Sequence, residues 1–425
     1  MKNVVLFFSL CFLLLQSSCI QDKCTQTSTY TYLKPVYVTP EEYKIPVKLG
    51  NSEALKEPGK IYFYYNYILI NELRKGIHII NNQDPTSPVN EGFIEIPGNI
   101  DMAVMNDILY ADAYTDLLVI DLKNIKEPRL IERKENLFES FYFIEGSNRL
   151  LSHYETTDIT EQFDCSHSQF GNVIINDGDG VFIDLSGNPG ANNFESSADG
   201  TPKVGKGGSL ARFTISKNHL FAAGLSELYS LPILSDGYVG ESVLTALPWG
   251  IETISPYKNY LFLGANNGMH IVDIENPMSP QLRSSFTHAR ACDPVVIEND
   301  IAYVTLRTGG QLCPGDRNEL QVIDVKDIFN PVLLHSYPMT NPHGLGFWEN
   351  QLYICEGESG LKIFDKTDIS KIDKNLLAHI GDIMAWDVIA VNKNLLLLVG
   401  NDGFFQYNCS DPGNIILLSS INIEK

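Results

Sequence analysis

One short pattern recurs along most of this chain: an apolar run ending in Asp or Asn, followed by a turn containing Pro. It reads GIHIINNQDPTSP at 76–88, DLLVIDLKNIKEP at 116–128, GMHIVDIENPMSP at 268–280 and ELQVIDVKDIFNP at 319–331. Shorter forms stand at 360–370 and 403–414, and a weaker copy, ELYSLPIL, at 227–234. Anchored at the residue that ends each run, the copies fall at Asn81, Asp121, Pro232, Asp273, Asp324, Asp365 and Asn408. Most successive anchors lie about 40–50 residues apart, the period of four-stranded propeller blades. The gap from Asp121 to Pro232 is more than twice that spacing, room for one blade plus a long insertion or for two poor blades.

Within each unit an apolar segment comes first, then a second run such as DILYADA (107–113), then the anchored run, then a fourth segment such as PRLIERKE (128–135). Short lengths, β-branched and aromatic residues and frequent turn signals argue for strands, and no stretch has a capped helical period. Blades bury both sheet faces only by stacking on neighbours, so the fold class expected is all-β: a closed β-propeller of seven four-stranded blades. The anchoring Asp and Asn residues are read as turn formers, because their side chains can accept a bond from the backbone two residues on.

The runs LLVID (117–121), HIVDI (270–274) and QVIDV (321–325), each followed by a Pro-containing turn, resemble the LVIVD-repeat proteins. The resemblance covers roughly residues 59–423. It implies an exported β-propeller and carries over no catalytic motif. The copies at 227–234 and 403–414 depart from the pattern, which leaves the blade count and the closure of the ring open.

The first residues supply a second signal. Lys2 precedes an apolar run at 4–15, too short to span a bilayer comfortably, and Ser17, Ser18 and Cys19 follow. This resembles the lipobox of bacterial lipoproteins, with Gln16 standing where Leu is commonest. The resemblance implies cleavage of 1–18, acylation of Cys19 and a tether over 19–55, with the propeller at 56–425. The membrane partner is then the bilayer itself, through the lipid. Ile20 gives no inner-membrane retention signal, so outer-membrane placement in the cell envelope is expected.

Composition narrows the partners. A net charge of -21 repels phosphate backbones, so nucleic acid is not an expected partner, whereas basic partners or cations are compatible. The insertion, at about 151–209, is rich in Gly, Ser, Asn and Asp; Asp177, Asp179 and Asp184 lack the spacing of an EF-hand loop, and a solvated loop is the expectation.

In a propeller the first strand of each blade lines the channel, and the loops into it open on one face. Counting back from each second strand places Asp101, Glu252, Asp293, His343 and Asp387 near that channel mouth, with Arg212 and Lys60 close by. Converging carboxylates there would attract a divalent cation, with His343 as ligand or base; alternatively each side chain bonds the backbone of a neighbouring blade. Two functions follow. One is a binding or scaffolding propeller that holds a protein or glycan. The other is a metal-dependent hydrolase or lyase at the channel mouth.

Eight cysteines are present, and an exported chain permits disulfides. Cys292 with Cys313 is the expected bridge, stapling an enlarged loop of one blade. Cys24, Cys165, Cys355 and Cys409 are unassigned, with Cys24 to Cys409 as one option. No C-x-x-C pair, G-x-S-x-G elbow, phosphate-binding loop or H-E-x-x-H helix is present. His78 and His270 recur at one repeat position and mark packing.

Overall fold

A computed structural model describes residues 25–138, 144–145, 149–164, 203–288, 294–308 and 317–424. The chain forms two units. In one, the strand Thr25–Val38 pairs with Arg149–Asp164, and Lys34 Nζ lies 3.3 Å from Glu155. The lead-in expected as a tether therefore holds a long paired strand.

The other unit is a seven-bladed β-propeller. The blades are antiparallel sheets at 58–95, 102–134, 213–246, 251–287, 295–338, 345–380 and 387–422, each folded from one continuous stretch of chain. Blade 1 gains two short extra strands, Leu49–Gly50 on its outer edge and Lys206–Gly207 on its inner one. The long interval between Asp121 and Pro232 is one blade plus the insertion, which lies between blades 2 and 3.

All seven anchor residues end the third strand of a blade. Six have a carboxylate or amide, and each accepts the N–H two residues on: Asn81 from Gln83, Asp121 from Lys123, Asp273 from Glu275, Asp324 from Lys326, Asp365 from Thr367 and Asn408 from Ser410, at 2.7–3.1 Å. These side chains build turns, as their position in the repeat implies. Pro232 is the exception, and its carbonyl accepts the Gly240 N–H at 2.8 Å instead.

The apolar runs of the sequence become the inner strands, which are covered on both faces by adjacent blades. Ile108–Ala113 is buried throughout, while the outermost strand Gln281–Thr287 is mostly exposed. Blades 1, 2 and 3 share one core, and each of the other five junctions has its own. Phe221 and Leu228 of blade 3 meet Ile254 and Leu261 of blade 4. Phe262 and Ile271 of blade 4 meet Val295 and Val304 of blade 5.

Blade 7 meets blade 1 in the same way, with Ile389, Leu397 and Phe404 against Ile61, Ile68 and Ile80. Each such fully buried side chain contributes about 1.5–3 kcal/mol. Asn82 and Gln406 exchange amide bonds of 2.8 and 2.7 Å across this seam. Leu55 and Ile423 form a parallel bridge beside it. The ring thus closes by packing and a few polar ties, with no blade shared between the two ends of the chain.

Candidate functional site

The start of the first strands is polar and largely buried. Asp101, 2% exposed, forms a salt bridge with the Lys60 ammonium of blade 1. Its Oδ2 also accepts the Arg212 N–H at 2.5 Å and the Phe213 N–H at 3.3 Å, at the entry to blade 3. Its Oδ1 accepts the Met102 N–H at 2.7 Å. One carboxylate therefore ties three blades together. Burial pulls the Lys60 ammonium below its usual range, and Asp101 opposes that pull.

Behind this pair, Asp112 Oδ1 accepts the Ile100 and Asp101 N–H groups at 2.7 and 2.9 Å and the Asn99 amide at 2.8 Å. Burial pushes the Asp112 carboxyl up to about 7 despite these donors.

Asp387, at the start of blade 7, is fully buried. Its Oδ1 accepts the Val388 N–H at 2.6 Å, and its Oδ2 has no hydrogen-bond partner. Burial raises its carboxyl well above the usual range. Gly344 passes so close that a β-carbon there would stand 2.7 Å from Asp387 Oδ1.

His343 lies edge-on to Trp386, ring centroids 4.4 Å apart, and its Nε2 has no hydrogen-bond partner. Burial, with the nearby Arg307 charge, holds the imidazole down to about 2, so it is neutral. Glu252, half-buried at the start of blade 4, supports the charge of Arg307.

Among the described residues, no three His, Cys, Asp or Glu side chains are grouped to hold a metal ion. Asp101 behaves as the backbone-bonding alternative requires. Asp293, and with it Cys19, Cys24, Cys165, Cys292, Cys313 and the acidic loop at 177–184, lies outside the described residues. Of the cysteines left unassigned, Cys355 and Cys409 are buried free thiols, so the Cys24–Cys409 option is not formed. His78 contacts Glu72 at 3.1 Å and His270 contacts Ser285 at 2.8 Å, both inside their blades.

The largest departure from the sequence reading is the end of the insertion. Residues 203–211 do not form a solvated loop; they line up along the inner strands. Lys206 and Gly207 pair with Phe63 and Tyr62 of blade 1, and the Gly205 N–H donates to Val104 of blade 2 at 3.0 Å. Ala211 accepts the Ile254 N–H of blade 4 at 2.9 Å. Ser209 Oγ accepts the Leu345 N–H of blade 6 at 3.0 Å, and the Lys206 amine donates to the Ala390 carbonyl of blade 7.

The segment thus plugs the channel and contacts five of the seven blades. A void of about 10 Å³ lies between it, Lys60 and Asp101. A β-carbon on Gly205 would stand 2.2 Å from the Tyr62 ring, so the close approach requires glycine. The available signal was the small-residue run KVGKGGS just before blade 3, which also fits an ordinary loop.

Lys206 retains some exposure, but its amine end is inside, and burial pulls its pKa from 10.5 down to about 7. Between those values the unfolded chain binds a proton that the folded chain lacks, so this group makes stability rise with pH from about 7 to about 10.5. Lys206→Met should flatten that rise in urea denaturations run across the window. An unchanged slope would mean that the amine is solvated.

Residues 252–288 match the LVIVD repeat. That match is blade 4 nearly end to end, and the same strand–turn unit recurs with Asp in blades 2, 5 and 6 and with Asn in blades 1 and 7. No curated protein matches the chain. Among solved structures, a putative 6-phosphogluconolactonase from Bacteroides fragilis is similar at 10% identity and a TM-score of 0.54, covering 87% of this chain and 96% of that one. The computationally designed Ika8 protein is similar at 11% identity and 0.50, covering 88% and 92%. Saccharomyces cerevisiae Sqt1 is similar at 9% identity and 0.50, covering 89% of each. At these identities the likeness is one of fold, and the LVIVD repeat is the sequence feature that goes with it.

Proposed function

We propose that this protein is an envelope lipoprotein, held to the outer membrane through acylated Cys19, whose LVIVD-repeat propeller is a binding or scaffolding domain. The observation that carries the binding reading is the state of the channel. Its axis is filled by residues 203–211, and Asp101, the carboxylate that bridges three blades, is spent on Lys60 and backbone N–H groups. Polar groups used this way fix blade geometry and leave recognition to loops and blade edges on a rigid frame. The lipid attachment is supported by the run at 4–15 followed by Ser17, Ser18 and Cys19.

The test is expression of the whole chain in a bacterial host that acylates lipoproteins, with mass spectrometry of the mature N-terminus. A diacylated or triacylated peptide beginning at Cys19 is expected, in the membrane fraction. Cys19→Ser should abolish the acylation and leave the precursor uncleaved. A mature wild-type chain that begins elsewhere without lipid would overturn the anchoring.

A further inference from the structure

A cleft of about 570 Å³ lies where blade 2 meets blade 3, within the range of ligand sites. It is bordered by the last strand of each blade, Arg129–Lys134 and Val243–Ala246, and lined by Lys134, Glu135, Tyr229, Glu241, Ser242 and Leu244 among others. Both strands stand at the outer edge of their four-stranded sheets, so among the described residues each has one side without a strand partner. An edge of this kind can accept an extended chain through its backbone groups. Along Val243–Ala246 the residues alternate between half-buried and exposed, and Leu244 is 59% exposed beside the cleft.

The charges around the cleft are unequal. Lys134 lies 3.4 Å from Glu132 and 3.8 Å from Glu241, and Lys44 lies 2.8 Å from Glu135. Three carboxylates thus face two ammonium groups. The Glu241 side chain is 99% exposed and that of Glu135 is 57% exposed, so both can reach a ligand. The whole chain is strongly acidic as well.

We propose that this cleft docks an extended, basic segment of a partner protein, which adds to the edge of blade 3, covers Leu244 with an apolar side chain and places lysine or arginine against Glu241 and Glu135. This rests on the binding reading above and gives it a surface and a partner chemistry. A free sheet edge next to an exposed leucine suits alternating apolar and basic residues better than it suits a sugar, which has no backbone to pair.

The experiment titrates the full chain with a fluorescein-labelled octapeptide that alternates valine and lysine. A valine–glutamate octapeptide and a cello-oligosaccharide serve as comparisons. The lysine peptide should bind, more weakly as salt is raised. Glu241→Lys and, separately, Leu244→Lys should each weaken it by about tenfold or more. Both positions are exposed, and unchanged circular dichroism would show that the fold is intact. Equal binding of the glutamate peptide, binding of the oligosaccharide alone, no effect of either substitution, or no binding at millimolar peptide would each overturn the proposal. An envelope partner held equally by wild type and by Glu241→Lys would overturn this cleft while leaving the binding domain standing. Failure of partner and peptide alike would remove both.

Discussion

Replacing Asp101 with alanine should destabilise the propeller by about 3–5 kcal/mol, read as a shift in the urea midpoint at constant slope. The substitution leaves the Lys60 ammonium inside the protein without its carboxylate. It also takes the acceptor from the Arg212 and Phe213 N–H groups, where blade 3 begins. The pair itself need not be strongly stabilising, because burying two charges costs much of what their attraction returns. The double replacement Lys60→Met with Asp101→Leu should therefore cost less than Asp101→Ala alone, a non-additivity that a double-mutant cycle measures. The same numbers bear on function. A loss under about 1 kcal/mol for Asp101→Ala would mean that the carboxylate is not needed for blade geometry, and the metal-site reading would regain ground.

The second large effect is expected at Phe138, which is fully buried at the point where the chain leaves blade 2 for the insertion. Its ring sits edge-on to Tyr229 at 5.4 Å and tilted against Phe213 at 5.6 Å, both in blade 3, and its N–H donates to the Thr115 carbonyl at 2.8 Å. Phe138→Ala should cost about 3–5 kcal/mol, the usual range for emptying an aromatic site in a packed core. Phe138→Leu should cost about 1.5 kcal/mol or less, because it keeps most of the volume. Comparable losses for both would point to the ring contacts rather than the cavity.

The repeat was legible because one turn is built the same way in six blades, with a side chain bonding the backbone two residues on. That chemistry is local, so it shows in a single sequence. Even ELYSLPIL, with Pro232 in place of the Asp, sits at the expected strand end. What escaped is non-local. Lys60 and Asp101 belong to different blades, and nothing in the spacing shows that they meet, so the sequence leaves Asp101 open between a ligand and a tie to the backbone of a neighbouring blade. Ring closure was equally hidden, since Asn82 and Gln406 lie near opposite ends of the chain. The plug failed for a further reason: glycine and serine mark both a solvated loop and a backbone squeezed between strands, and only the neighbours distinguish the two.

The position of that plug in the chain bears on how the molecule is assembled. Residues 203–211 follow blades 1 and 2 but precede the other five. During synthesis from the N-terminus, the segment can lie down on the Tyr62 and Val104 edges while the rest is still unmade. Leu345 and Ala390 reach Ser209 and Lys206 only when blades 6 and 7 arrive. Nothing has to be threaded through a finished hole; the wheel is laid around its own axle, and its last two spokes clasp it as the rim is joined.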